Sequence, residues 1–220
     1  MNVFEFSGFT NLKLVAYPCD KINVENEYKK LLNYTDFASL HFIQEYVNKE
    51  IVFIDFGAEL GIKSCIAANQ THQILAFENR LEYINIVICN LLQNLNLDHK
   101  YLISCQNIEN WFKILSENVI QQKCILSISK SIPVTELLSN QDFEFWCKNQ
   151  KKVSIIFDID LSLYRDQDGW VKIGKMIDSL TKCGFKHFTD FNTDKSFTNT
   201  SLLLHFYSFT GNVLNIVCEM

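Results

Sequence analysis

Two segments of this sequence combine residue type and spacing in a way that could do chemistry. One is the glycine-spaced turn Asp55-Phe56-Gly57-Ala58-Glu59-Leu60-Gly61; the other is the carboxylate pair of Phe157-Asp158-Ile159-Asp160. The chain has only seven glycines, and two of them, Gly57 and Gly61, lie four residues apart in the turn. Glycine there lets the backbone bend tightly and approach a ligand with no Cβ in the way. A helix starting at such a bend offers free N–H groups to a polar or anionic partner. Glu78, in Ala76-Phe77-Glu78-Asn79, follows Gly61 by seventeen residues. An acidic residue about 20 residues past a glycine turn is placed to accept both hydroxyls of a ribose. The combination predicts a site for an adenosine-containing cofactor. The plainer alternative is a tight turn with Glu78 capping the next helix.

The turn also bears on which cofactor it would hold. A dinucleotide site wants G-x-G-x-x-G, whose middle glycine admits the pyrophosphate. Here that place is taken by Glu59, whose carboxylate repels pyrophosphate and tolerates the ammonium and sulfonium of S-adenosylmethionine. A methyl donor is therefore expected over a nicotinamide dinucleotide, and a dinucleotide oxidoreductase is the disfavoured rival.

The elements that must position these residues alternate regularly from Ile51 onward. Ile51 to Phe56 is a continuous apolar run, as in a strand buried on both faces. A helix over Leu60 to Asn69 and a strand over Gln73 to Glu78 follow. The next helix carries an apolar stripe of Ile84, Val87, Ile88, Leu91, Leu92 and Leu95. Tyr101 to Cys105 reads as a third strand, followed by a helix with Ile108, Trp111, Phe112, Leu115 and Val119 inward. Cys124 to Ser129 is a fourth strand, Val134 to about Cys147 a helix, and Val153 to Asp158 a fifth strand. Trp170 to Cys183 is a helix stopped by Gly184. Phe185 to Asp190 and Leu202 to Ser208 are expected as a closing strand pair with no helix between them, and Val213 to Cys218 as a further strand candidate. The expected fold class is α/β and Rossmann-like, a mostly parallel sheet with an antiparallel edge strand.

Residues 1–48 read differently and are expected as an N-terminal cap on a domain spanning 49–220. Val3 to Phe6 and Leu12 to Tyr17 form a hairpin through Ser7-Gly8-Phe9-Thr10-Asn11, and Pro18 ends the second run. A helix from Asp36 to Asn48 follows, capped by Thr35 or Asp36, with Phe37, Leu40, Ile43 and Val47 at helical spacing.

The stretch from Ile51 to Leu97 resembles FkbM-type class I methyltransferases. Motif I of that family runs strand-Asp-x-Gly-Ala-Asn-x-Gly, and its second strand ends in a stretch like Ala-Phe-Glu-Pro. The helix end Asn90-Leu-Leu-Gln-Asn94-Leu95-Asn96 also looks like the family's asparagine-bearing helix end. The resemblance implies S-adenosylmethionine as cofactor and O-methylation of a small or sugar-containing metabolite. It implies that Asp55, Gly57, Ala58 and Gly61 line the methionine and ribose side, with Glu59 beside them. Glu78 would hold the ribose, Asn79 would flank the adenine, and Gln106 and Asn107 would meet the adenine edge. Two departures stand out. The loop asparagine of the family is Glu59 here. The family's Lys-Ile-Asp-x-Glu-Gly stretch at the fourth strand is replaced by Leu126-Ser127-Ile128-Ser129-Lys130-Ser131-Ile132, without either acid.

Asp158 and Asp160 are the candidates left for catalysis, because ligands of open α/β sheets bind outside the carboxyl ends of strands. Either could act as general base for a hydroxyl; capping a turn is the alternative. Lys130 could anchor substrate or simply be a solvated loop lysine. The altered fourth strand keeps a second function open, a catalytically inactive methyltransferase-fold protein acting as a binding or scaffold module.

Composition narrows the partners. The net charge is −5, and the longest basic runs are Lys29-Lys30 and Lys151-Lys152, so no nucleic-acid footprint is expected. No uninterrupted apolar segment approaches the ~18 residues of a membrane span. The eight cysteines include no CxxC pair, and no Cys or His pair has metal-ligand spacing, so no metal site is expected. Most of them sit in apolar runs, and the N-terminus carries no secretory signal, which points to reduced thiols and a cytoplasmic location. The expected partner is a small-molecule substrate. The Phe-rich C-terminal region (Phe185, Phe188, Phe191, Phe197, Phe206 and Phe209) reads first as core, with an exposed subset as a surface for self-association or a partner protein.

Overall fold

A computed structural model describes residues 2–5, 12–16, 37–95, 98–191, 193–209, 211 and 213–220. The expected turn Ser7 to Asn11, the stop at Pro18, the Lys29-Lys30 pair, the cap at Thr35 or Asp36, and Asn96 and Leu97 lie outside the described residues. The chain divides into two compact units, Met1–Asn107 and Ile108–Met220.

In the first unit, β1 (Asn2–Glu5) pairs antiparallel with β2 (Lys13–Ala16), Asn2 opposite Ala16. α1 (Phe37–Tyr46) follows, with Ile43 and Val47 buried. Then come β3 (Ile51–Phe56), α2 (Ile62–Ala68), β4 (Gln73–Phe77), α3 (Leu81–Asn94) and β5 (Lys100–Ser104). β4 is parallel to β3 on one side and to β5 on the other. β3 and β4 are buried along nearly their whole length, which is why both read as unbroken apolar runs rather than alternating ones. β2 lies against α3, and α1 against α2.

α3 buries Val87 and Leu91 of the expected stripe but not the rest of it. Its buried residues are Ile86, Val87, Asn90, Leu91 and Asn94, whereas Leu92 is 52% exposed and Ile84 and Ile88 are half-buried. The helix turns its asparagines inward because they satisfy backbone carbonyls there. Asn90 Nδ2 donates to Leu60 O at 2.6 Å, and Asn94 Nδ2 donates to Asn90 O at 2.7 Å. A buried carbonyl without a donor would cost more than an exposed leucine.

The second unit opens with a 3₁₀ turn over Ile108–Asn110 and α4 (Trp111–Asn118), followed by β6 (Lys123–Ile128). The single helix expected over Val134 to Cys147 is two, α5 (Val134–Leu138) and α6 (Gln141–Lys148). Asn140 makes the break: its side chain accepts from Asp142 N at 2.9 Å and starts a new helix. β7 (Lys152–Asp160) outlasts its expected end by two residues and closes in a 3₁₀ turn over Leu161–Tyr164. α7 (Gln167–Cys183) ends at Gly184, which is left-handed at φ 100°.

β8 (His187–Asp190) and β9 (Lys195–Phe197) form the closing antiparallel pair. The expected strand over Leu202 to Ser208 is instead α8 (Asn199–Ser208). Thr198 and Ser201 form a reciprocal capping box at its start, and Leu202 and Phe206, four residues apart, are buried while Leu204 and Tyr207 are exposed. β10 (Val213–Glu219), read from the sequence only as a candidate, runs antiparallel between β7 and β8. Strand order is β5-β4-β3 in the first unit and β6-β7-β10-β8-β9 in the second.

The core of the second unit is aromatic, with Trp111, Phe112, Phe143, Trp146, Phe157, Phe185, Phe188 and Phe206 fully buried. The seven cysteines among the described residues are free. Burial pushes the Cys124 thiol up to about 12, so it packs as a small hydrophobe and is no nucleophile at neutral pH. Among the described residues no helix is long and apolar enough to cross a membrane, and no group of three His, Cys, Asp or Glu could hold a metal ion.

Candidate functional site

The glycine turn is built by its own backbone. Gly57 N and Ala58 N both donate to Phe77 O, at 2.9 and 3.0 Å, so the bend leaving β3 is tied to the end of β4. Gly61 N donates back to Ala58 O at 2.6 Å, and Gly61 O accepts Cys65 N, which starts α2. Three positions are left-handed: Gly57 at φ 74°, Glu59 at φ 52° and Gly61 at φ 75°. Glycine takes that conformation freely, but glutamate does so only when its surroundings impose it. Gly61 has a packing role as well, since a Cβ there would lie 3.4 Å from Val87 Cα of α3.

What imposes the conformation at Glu59 is Glu78. Glu59 N donates to Glu78 Oε2 at 2.8 Å, across nineteen residues of sequence. Glu78 lies just past β4, fully buried, and its own N–H donates to Ser104 O at the end of β5. The glycine bend and the acidic residue thus face each other, as the adenosine reading requires.

Arg80, which the sequence reading passed over, shares this carboxylate. Its backbone N and its Nε both reach Glu78 Oε1 at 2.9 Å, and its Nη2 reaches Oε2 at 3.1 Å. Nη2 also lies 3.6 Å from Glu59 Oε1, and the guanidinium stands 4.0 Å over the Tyr83 ring. Burial works against its charge, but the hydrogen bonds and negative charge of Glu78, helped by Glu59, prevail and hold its pKa above the usual arginine value. The sequence signal was slight: a single cation two residues past the acid.

Asp55 sits beneath the bend, 1% exposed, and accepts Ser64 Oγ at 2.6 Å. Burial pushes its carboxyl up to about 6, although Lys63 and the Ser64 hydrogen bond pull the other way. Ala58 is buried beside it, and Asn79, Gln106 and Asn107 are exposed, the first just past β4 and the other two just past β5. The first unit therefore carries every residue expected to touch the cofactor. The donor set suits an adenosine group: a strand-end carboxylate oriented by backbone amides, beside a left-handed bend that brings main chain close. Glu59, with its carboxylate at the place of the missing middle glycine, suits a pyrophosphate poorly.

The carboxylates of the second unit are held otherwise. Asp158 on β7 is 2% exposed and lies opposite Asn215 of β10, whose Nδ2 donates to Asp158 Oδ1 at 2.7 Å. Asp160 Oδ1 accepts Ser162 N at 3.0 Å and Ser162 Oγ at 2.6 Å, capping the 3₁₀ turn. Both line a cavity of about 180 Å³ together with Lys130, Ile132, Leu163 and Tyr164. That space falls below the roughly 300–1,000 Å³ of pockets for drug-sized ligands, so it fits a small group. In the stretch where the family of the resemblance carries acids, Ser131 Oγ donates to Ser129 Oγ at 3.1 Å. Asn215 gave no sequence signal, because only strand pairing brings it to Asp158.

No protein-family model matches the chain, and no protein of curated function matches it by sequence. By structure it is similar to an S-adenosylmethionine-dependent methyltransferase from Clostridium acetobutylicum, with 9% identity over 90% of this chain and 99% of that one and a TM-score of 0.56. It is similar to a precorrin-6y C5,15-methyltransferase from Geobacter metallireducens, with 13% identity over 87% and 91% and a TM-score of 0.53. It is also similar to a geranyl diphosphate C-methyltransferase from Streptomyces coelicolor in complex with S-adenosyl-L-homocysteine, with 9% identity over 89% and 82% and a TM-score of 0.53. At such identities the likeness is one of fold. The chain has the α/β, Rossmann-like fold of class I methyltransferases, mostly parallel with antiparallel strands at its C-terminal end.

Proposed function

We propose that the chain is an S-adenosylmethionine-dependent methyltransferase acting on a hydroxyl of a small or sugar-containing metabolite. The observation that carries the cofactor half is the fully buried Glu78, fixed from the glycine bend by the Glu59 amide at 2.8 Å. Glu78 holds the ribose; Gly57, Ala58 and Gly61 bring backbone close to the sugar and methionine portions, with Asp55 beneath them. Asn79, Gln106 and Asn107 surround the adenine, and Glu59 supplies negative charge suited to a sulfonium. When bound, the cofactor supplies an electrophilic methyl group. Asp158 and Asp160 engage the acceptor, one of them taking up the single proton its hydroxyl loses; much of the rate in such a transfer comes from in-line positioning. The pairing of Asp55–Gly61 with Ala76–Glu78 supports a place beside the FkbM type, and residues 1–48 serve as an N-terminal cap.

Calorimetric titration with S-adenosylmethionine and S-adenosylhomocysteine tests this reading. Saturable binding of both is expected, and a folded protein that binds neither at millimolar ligand removes it. A second reading, a methyltransferase fold kept as a binding or scaffold module, is favoured by the Arg80–Glu78 ion pair and by serines where the FkbM type carries acids. Its surface is α8, where Leu204 and Tyr207 are largely exposed. That reading predicts no cofactor binding together with stable self-association or a stable partner.

A further inference from the structure

The Glu78 carboxylate has about four lone-pair directions to offer, two on each oxygen. Four donors meet it. Oε1 takes the Arg80 amide and Arg80 Nε, both at 2.9 Å, and Oε2 takes the Glu59 amide at 2.8 Å and Arg80 Nη2 at 3.1 Å. Each oxygen therefore holds one backbone N–H and one guanidinium N–H. The amides belong to the bend and the start of the next turn, and they cannot leave without dismantling both. The guanidinium can leave: the Arg80 side chain is 34% exposed, with Glu59 and the Tyr83 ring beside it to receive its charge. Its departure vacates one position on each oxygen, the arrangement that the two adjacent hydroxyls of a ribose would fill.

We propose that Arg80 is a displaceable stand-in for the ribose diol and sets the affinity of the cofactor site. This inference rests on the proposed function, since it needs a ribose to arrive. A ligand with two adjacent O–H donors replaces both arms of the fork, whereas one with a single hydroxyl leaves an oxygen of a buried carboxylate short of a donor, which is costly. Every binding event also works against the Arg80–Glu78 pair. Apparent affinity falls in proportion to the fraction of molecules with the carboxylate open.

The test is calorimetric titration of S-adenosylhomocysteine into the wild-type chain, Arg80→Met and Arg80→Lys, with folding checked by near-ultraviolet circular dichroism. Arg80→Met keeps an apolar stem over Tyr83 and removes the fork, and it should bind about tenfold tighter or more. Arg80→Lys keeps the charge without the fork and should tighten less. Equal or weaker binding by folded Arg80→Met overturns the proposal while leaving the cofactor reading intact. Failure of all three proteins to bind overturns both. A readout independent of any variant is the Arg80 Nε–H resonance of the wild-type chain. It should lose protection from solvent exchange on saturation with S-adenosylhomocysteine, and a resonance still protected at saturation overturns the proposal even if the substituted proteins misfold.

Discussion

Two buried carboxylates near the ends of strands, Glu78 of the first unit and Asp158 of the second, are held by opposite means. In the first, Glu78 is held by main-chain amides and a guanidinium, beside three consecutive alternate positions of left-handed backbone. In the second, Asp158 is held by the side-chain amide of Asn215, and Asp160 by its neighbour Ser162. A carboxylate fixed by backbone keeps its orientation when a side-chain partner is exchanged, so it can trade that partner for a ligand. A carboxylate fixed by a neutral side chain from the next strand is tied to that strand. On the proposed function, Glu78 is the carboxylate that can exchange a partner, and Asp158 is the one tied to β10.

The sharpest way to break the comparison is Glu78→Ala. It strips a partner from two backbone amides and leaves the Arg80 guanidinium without its main counter-charge, so urea denaturation should show a loss of about 3 kcal/mol or more. A loss under about 1 kcal/mol would mean the bend does not depend on that carboxylate. Asp55 should show itself through pH. Because burial raises its folded pKa to about 6 from the usual 3.8, the folded protein keeps the proton through a window in which the unfolded chain releases it. Its contribution is greatest below about pH 4, declines by up to about 3 kcal/mol as pH rises to about 6, and is flat beyond. Stability curves of the wild type and Asp55→Asn should diverge over that window, and parallel curves would refute the assignment.

On the other side of the comparison, Asn215→Ala removes a donor from buried Asp158 and should cost about 1–3 kcal/mol by thermal or urea unfolding, with S-adenosylhomocysteine affinity unchanged. A fall in that affinity would show that the two carboxylate systems are coupled. The smallest effect belongs to Glu59→Gly. It relieves a left-handed glutamate at φ 52°, and urea denaturation should show a gain of up to about 1 kcal/mol, whereas no gain would show that Glu59 sits there without strain.

Most of the first unit was legible because its elements obey simple periodicities. Ile51–Phe56 was bounded correctly, since a strand buried on both faces leaves an apolar run with polar ends. The glycine bend and Glu78 were legible because both depend on residue type at fixed spacing. Arg80 was not, because an ion pair formed through a turn has no period. α3 misled for a related reason: hydrophobicity pointed Leu92 inward, whereas the need of Leu60 O for a donor brought Asn90 in. In the second unit, Leu202-Leu203-Leu204 hides the helical alternation of α8, and the readable sign was Thr198 with Ser201 just before it. The Asp158–Asn215 contact joins residues 57 apart in sequence and becomes visible only once strands pair.

That contact also bears on how the strands of the second unit assemble. β10 must slot between β7 and β8, and apart from Asn215 and its last residue it is a run of aliphatic side chains and one cysteine that would tolerate more than one alignment. A shift of two residues along β7 would keep every side chain on its proper face, yet set Asp158 against Val213 or Val217 and take the Asn215 amide away from it. The polar pair therefore works as a key cut into an oily surface: it fits one alignment and rejects the others, so the last strand locks in one place.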